Sequence, residues 1–302
     1  MSIAELESRE IQLEAPQGLW SEAWQRVRRN RGALIGFGLV TTFVLVALLA
    51  PWLAPESPRA VHLDRIREGC CPGPSASYPF GVDQLGRDEL SRIIYGARYS
   101  LLIGVVSVAV GLSFGLVLGA VAGFFGGFVD SVIMRLMDIM LAIPGLLLAI
   151  GIVAMLGPGI FQIMIAVGVV NIPVFARLLR GAVLAQREND FVLAARSVGV
   201  PRRTILASHI LPNAISPVIV QGTLALATAI IDVAGLGFLG LGPQDPGTPE
   251  WGTMLTGTIR YLQTAPHLAI IPGVAIVVSV LGFNLIGDGL REALDPKLRG
   301  RA

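Results

Sequence analysis

Long apolar runs separated by short polar stretches dominate the chain. A membrane crossing needs roughly 20 apolar residues, and Ala33 to Leu53 is the first run of that length. Ser100 to Val129 continues for thirty residues without a charge, with glycines toward its far end. Ile139 to Phe175 is also uncharged, but Gly157, Pro158 and Gly159 cut it into a hairpin of two helices. The first arm of that hairpin is expected to start before Asp138, near Val132. Ala214 to Ile231 supplies a fifth span and Leu268 to Gly287 a sixth. The pattern predicts an all-α integral membrane protein with six transmembrane helices.

Six crossings return both termini to one side. Basic residues near span ends choose that side: sixteen of the 23 fall on the side of the termini and seven on the other. That ratio places both termini in the cytoplasm, although six arginines in the loop 54–99 oppose it. The expected organisation is a cytoplasmic segment 1–32, a first span 33–53, an extracytoplasmic loop 54–99, a helical core 100–290 and a cytoplasmic tail 291–302. Trp20, Trp24 and Val27 recur at helical spacing beside Arg26, Arg28, Arg29 and Arg31. This fits either a helix lying in the inner interface or a plain positive anchor.

Composition agrees with the pattern. The 302 residues are 53% hydrophobic and 15% charged, with a mean hydropathy of +0.70, whereas soluble domains carry about 25% charged residues. A net charge of +2 gives no footing for nucleic-acid binding. The first apolar run exceeds the 7 to 15 residues or so of a cleaved secretory signal.

The loop 180–213 interrupts this apolar chain with DFVLAARSVGVPRRTILASHILPN at 190–213. Asp190 to Val198 reads as a short helix ended by Gly199 in a left-handed turn. Pro201 fits the first turn of a second helix, and Pro212, after Leu211, fits a break where the chain re-enters the membrane. Two short helices around a glycine elbow would form a knob on the cytoplasmic face. Ala194 and Ala195 are small enough for the walls of a partner's groove to close around them. The plainer reading is a stiff connector.

The segment LAARSVG, with Leu193, Ala194, Ala195, Arg196 and Gly199, followed by Val200, Pro201 and the later Leu211–Pro212, resembles the EAA loop of ABC-importer permeases. Leu193 stands where that family has glutamate. YPFGVDQLGRDELSRIIYGARYSLLIG (78–104), GFLGLGPQDPGTPEWGTML (237–255) and FNLIGDGLREALDPKLRG (283–300) are similar to segments of the dipeptide, oligopeptide and nickel permeases, in the same order. The resemblance implies a MetI-like permease core in the last five helices and a coupling role for residues 193–201 and 211–212. It also implies two ATP-binding partner subunits, a second homologous permease subunit, an extracytoplasmic substrate-binding protein and a peptide cargo, dipeptides first. Nickel, haem or another small solute is the alternative cargo.

The chain contains no GxxxxGK[ST] segment, and Lys297, its one lysine, lies in DPKLRG. A phosphate cradle of that kind needs the lysine. ATP and Mg are therefore assigned to the partner subunits, and no cofactor, metal or catalytic group to this chain. An ion-coupled secondary transporter, the rival reading, is expected to show internal repeats and charges at midplane; neither is visible. Cys70 and Cys71 are adjacent and can oxidise to a vicinal disulfide or pair with another chain, but two incidental thiols are the favoured reading.

Four residues stand out for the pathway or gate. Arg135 and Asp138 are three apart and expected to pair on one helix face. Pro144 can kink the third span. Asp232 closes the fifth apolar run and is assigned to the outer gate region. Trp251 is expected at the outer mouth, against a partner permease or the binding protein. Asp288 is expected at the inner interface.

Overall fold

The computed structural model describes residues 19–66 and 70–294. Arg9, Arg67 and the tail with Lys297, Arg299 and Arg301 lie outside the described residues, as does the whole DPKLRG motif.

The described residues form a helical bundle without strands, apart from one isolated bridge between Val82 and Asp88. Helix α1 (Leu19–Arg29) leads into α2 (Arg31–Leu53), whose start is capped by Asn30 accepting from the Ala33 N–H at 2.9 Å. Helix α3 is Glu89–Phe125, eleven residues longer at its outer end than the apolar run alone predicts. Asp88 is the reason: its carboxylate caps the helix by accepting from the Ser91 N–H at 2.8 Å. Arg92, inside the first turns, is buried beside Asp83 rather than solvated. At about 1.5 Å per residue the helix is roughly 55 Å long, so it projects beyond the hydrocarbon.

The apolar run does not continue to Val129 as one helix. Gly126 and Gly127 both take positive φ and turn the chain into α4 (Gly127–Ala142). Pro144 then ends α4 by holding Ile143 extended, and α5 (Gly145–Leu156) leaves at 92°. The expected third span is thus a broken pair. The Gly-Pro-Gly turn follows as expected and leads into α6 (Ile160–Arg187). Helix α7 (Asp190–Ser197) and α8 (residues 202–214) form the polar excursion between α6 and α9. Helix α9 (Ser216–Leu236), a short α10 (Trp251–Met254) and α11 (His267–Leu294) complete the bundle.

One seam organises these helices. Gly111, Gly115, Gly119 and Gly123 repeat every four residues along α3, on the face turned to α6. A Cβ at Gly115 would lie 2.5 Å from the Phe175 Cβ, and one at Gly119 would lie 2.4 Å from the Ala176 carbonyl oxygen. Small residues let two backbones approach this closely, which drives helix association in lipid, where apolar burial gives no gain. Phe175, Leu179 and Val183 of α6 pack with Ile103 and Val108 of α3 in the main apolar cluster.

Gly119→Ala should therefore lower the thermal midpoint of the purified complex by forcing the seam open, a cost of about 1–3 kcal/mol. Gly151→Ala, where an added methyl meets nothing within 4 Å, should leave the midpoint unchanged.

Candidate functional site

The polar excursion is built by local rules. Helix α7 ends in a Schellman arrangement: the Gly199 N–H donates to the Arg196 carbonyl at 3.0 Å and the Val200 N–H to the Ala195 carbonyl at 3.1 Å. This geometry needs a residue in the left-handed region, and Gly199 has φ +79°. Pro201 sits at the cap position of α8, one residue ahead of the expected first turn, and its carbonyl accepts from the Ile205 N–H at 3.0 Å. Helix α8 runs through a π-helical stretch, Ile205–Ile210, straight into Leu211–Ala214. Pro212 is therefore inside α8 and does not break it. The wider π turns precede the one residue that lacks an N–H to donate, and the chain breaks at Ile215 instead.

The two short helices are fastened to the bundle. Val192, Ala195, Ile205, Ile210 and Ala214 are buried in the same apolar cluster as Phe175, Leu179 and Val183 of α6. Ala195 is only 8% exposed, so it packs inward and does not line an outer face as the sequence led us to expect. The outward apolar face of α7 is formed by Phe191, Ala194 and Val198, the last 79% exposed. Leu193 is also exposed, on another flank. Exposed apolar side chains on a polar element mark a contact surface.

The four pathway candidates are spread over different elements. Asp138 of α4 pairs with Arg177 of α6 and not with Arg135. A neighbouring pair, Arg180 with Asp130, is bidentate. The cross-helix partners win because α4 lies alongside α6, which a single-helix spacing argument cannot see. Pro144 sits at the corner between α4 and α5. Asp232 of α9 is half-buried and meets no hydrogen-bond donor among the described residues. Asp288 is exposed near the end of α11.

Trp251 is not at a partner contact: it is fully buried within its own chain. Its indole Nε1 donates to the Ile93 carbonyl at 3.1 Å, and its ring meets Phe43 edge-on at 5.6 Å. Gly96 leaves the space it occupies. Glu250, beside it, was not singled out in the sequence, yet it is equally buried. It caps α10, accepting from the Gly252 N–H, the Thr253 N–H, the Thr253 hydroxyl and, across to α3, the Ser100 hydroxyl. Burial pushes the Glu250 carboxyl above its ordinary 4.5, and these four donors pull it back. A carboxylate three residues before a threonine at a helix start was the available signal. Cys70 and Cys71 are joined as a vicinal disulfide, against the favoured reading of free thiols.

Residues 115–300 match the family model described as "Binding-protein-dependent transport system inner membrane component". Residues 18–68 match the "N-terminal TM domain of oligopeptide transport permease C". The chain is 50% identical over 282 residues to the glutathione transport system permease protein of Salmonella paratyphi A, covering 93% of this chain and 91% of that one. It is 48% identical to the di/tripeptide transport system permease protein of Pseudomonas aeruginosa, covering 93% of each. It is 46% identical to the dipeptide transport system permease protein of Alkalihalophilus pseudofirmus, covering 93% of this chain and 90% of that one. Among solved structures, the inward-facing MetNI methionine ABC transporter shares the fold at a TM-score of 0.55 and 19% identity. That likeness covers 68% of this chain and 96% of the other.

Three outcomes follow from the anchor at Trp251 and Glu250. Trp251→Ala should cost about 3–5 kcal/mol of stability in the purified complex, and Trp251→Phe about 1 kcal/mol, for the lost indole hydrogen bond. A folded-state carboxyl raised above 4.5 binds its proton more tightly than in the unfolded chain, so its stabilisation is complete below that value and is lost as pH rises through the raised one. The thermal midpoint should fall as pH rises above 4.5, and Glu250→Gln should flatten that slope.

Proposed function

The chain belongs to the family of binding-protein-dependent transport system inner membrane components, and from that premise we propose that it is one permease half of an importer of short peptides, driven by ATP-hydrolysing partner subunits. The relatives that carry the cargo assignment are named for dipeptides, di- and tripeptides and glutathione. All three are small peptides with a free carboxylate and amine.

In this reading a second, homologous permease completes the pathway, an extracytoplasmic binding protein delivers the peptide, and two ATPases bind ATP and Mg. Both termini are cytoplasmic, in line with the excess of basic residues on that side. The outward apolar face of α7 seats in a groove of one ATPase. The observation that supports this is the combination of an exposed Phe191, Ala194 and Val198 with a Schellman elbow and five inward anchors in the bundle core. A knob held this way transmits displacement instead of absorbing it. Closing of the ATPases would shift α7 and, with it, α6 and α9, turning the pathway between the two permeases from inward-facing to outward-facing. Asp232 and the Pro144 corner belong to that pathway; an unpaired carboxylate in a span is costly unless it serves a passing group.

The test is cysteine crosslinking in membranes containing the complete importer. Ala194→Cys and Val198→Cys should crosslink to the groove of the ATPase in a nucleotide-dependent way, whereas Ala195→Cys should not. Uptake of a labelled dipeptide and of glutathione should require ATP and be insensitive to collapse of ion gradients. Crosslinks from none of these positions, with uptake intact, would leave the knob a mere connector. Gly199→Ala should cost about 1–2 kcal/mol at the left-handed elbow and lower uptake per ATP hydrolysed. Gly199→Asn, tolerated in that conformation, should be milder.

A further inference from the structure

The cytoplasmic end of the bundle holds a cavity of about 450 Å³ that the coupling reading does not use. Its polar lining comes from Arg187 at the end of α6, Arg196 in α7 and Arg202 at the start of α8, and its apolar lining includes Phe124 and Phe125 at the end of α3. Three arginines therefore line one space.

These arginines differ from those nearby. Arg177 and Arg180 are neutralised by Asp138 and Asp130. Arg196 and Arg202 meet no carboxylate among the described residues. Arg187 has one, Glu188, only at 3.9 Å, and that side chain is 79% exposed. Arg187 Nη1 donates to the carbonyls of Gly123 and Phe124 at 3.3 and 3.2 Å. That leaves its Nε buried without an acceptor. A buried donor without a partner costs free energy, and an acceptor entering the cavity removes that cost.

The position selects the acceptor. Phe124 and Phe125 end the long apolar helix α3, and Phe125 is 67% exposed beside the cavity. The cavity thus lies at the depth where lipid head groups meet the hydrocarbon edge. On the helical wheel, at about 100° per residue, Arg196 points nearly opposite to Phe191, Ala194 and Val198. The cavity is therefore separate from the proposed docking face. We propose that it binds the phosphate head group of an anionic phospholipid, with the guanidinium forks on the phosphate oxygens and Phe125 against the acyl chains. The proposal rests on the functional reading only for which leaflet supplies the lipid.

The experiment uses the complete importer purified in mild detergent with added phosphatidylglycerol or phosphatidylcholine, and counts retained lipid by native mass spectrometry. Wild type should retain phosphatidylglycerol in preference to phosphatidylcholine. Arg196→Gln with Arg202→Gln, both on exposed side chains, should weaken that retention about fivefold for each arginine removed. The corresponding lysine pair should keep most of it, which separates lost charge from misfolding. Excess inorganic phosphate should not displace the lipid. Equal retention in wild type and the glutamine pair would overturn the proposal, as would equal retention of the two lipids. Displacement by phosphate would make the site one for a free anion. Loss of the ATPase subunits with lipid retention unchanged would assign these arginines to an acidic protein partner instead. None of these readouts involves transport, so failure here is distinguishable from failure of the importer reading.

Discussion

The backbone contact between α3 and α6 is what the rest of the molecule depends on. Four glycines at four-residue spacing, 111 to 123, bring the two helices close enough that any added Cβ would strike backbone or a Cβ. In lipid there is no gain from burying one apolar side chain against another, so close packing has to hold the helices together. The seam continues to the end of α3, where Arg187 of α6 donates to the carbonyls of Gly123 and Phe124. Helix α7 begins three residues later. The knob is thus an extension of this close backbone contact, which is what the proposed coupling role requires.

At the other end polar anchors join close backbone contacts such as that of Gly252 with Ala234. Trp251 and Glu250 tie the outer loop to α3 through the Ile93 carbonyl and the Ser100 hydroxyl. Arg87 and Arg92 meet Asp83 beside them. Each of these groups is buried, so each would be expensive unpaired. Both ends therefore combine close packing with ion pairs, Arg87 and Arg92 with Asp83 at one and Arg180 with Asp130 at the other. A permease that alternates its access needs both ends to stay intact while the space between helices changes.

The spans were legible because a run of about 20 apolar residues has few other uses. The elbow at Gly199 was legible because its rule is local, a glycine just past a short helix. What escaped the sequence reading was decided by contacts far apart in the chain. The start of α3 is the exception, set locally by the Asp88 cap and by Arg92 meeting Asp83, whereas the pairing of Asp138 depends on Arg177, thirty-nine residues away. Trp251 reads as an exposed aromatic until Gly96 and Phe43 are brought around it. Ala195 and Ala194 are indistinguishable by type; only the direction of the bundle core separates the inward from the outward one. The glycine spacing on α3 was visible in the sequence, but its partner face on α6 was not.

The central claim is that the knob and the bundle end move as one body. Pulsed electron resonance between spin labels at Val198 and Phe128, both highly exposed, measures this within one chain. A second pair, Val198 and its counterpart on the other permease, reports the movement between halves. Over the ATP cycle the account predicts an unchanged, narrow distance within the chain and a nucleotide-dependent change between the halves. A within-chain distance that shifts or broadens as much as the between-chain one would show a hinge at Gly199, and would contradict it.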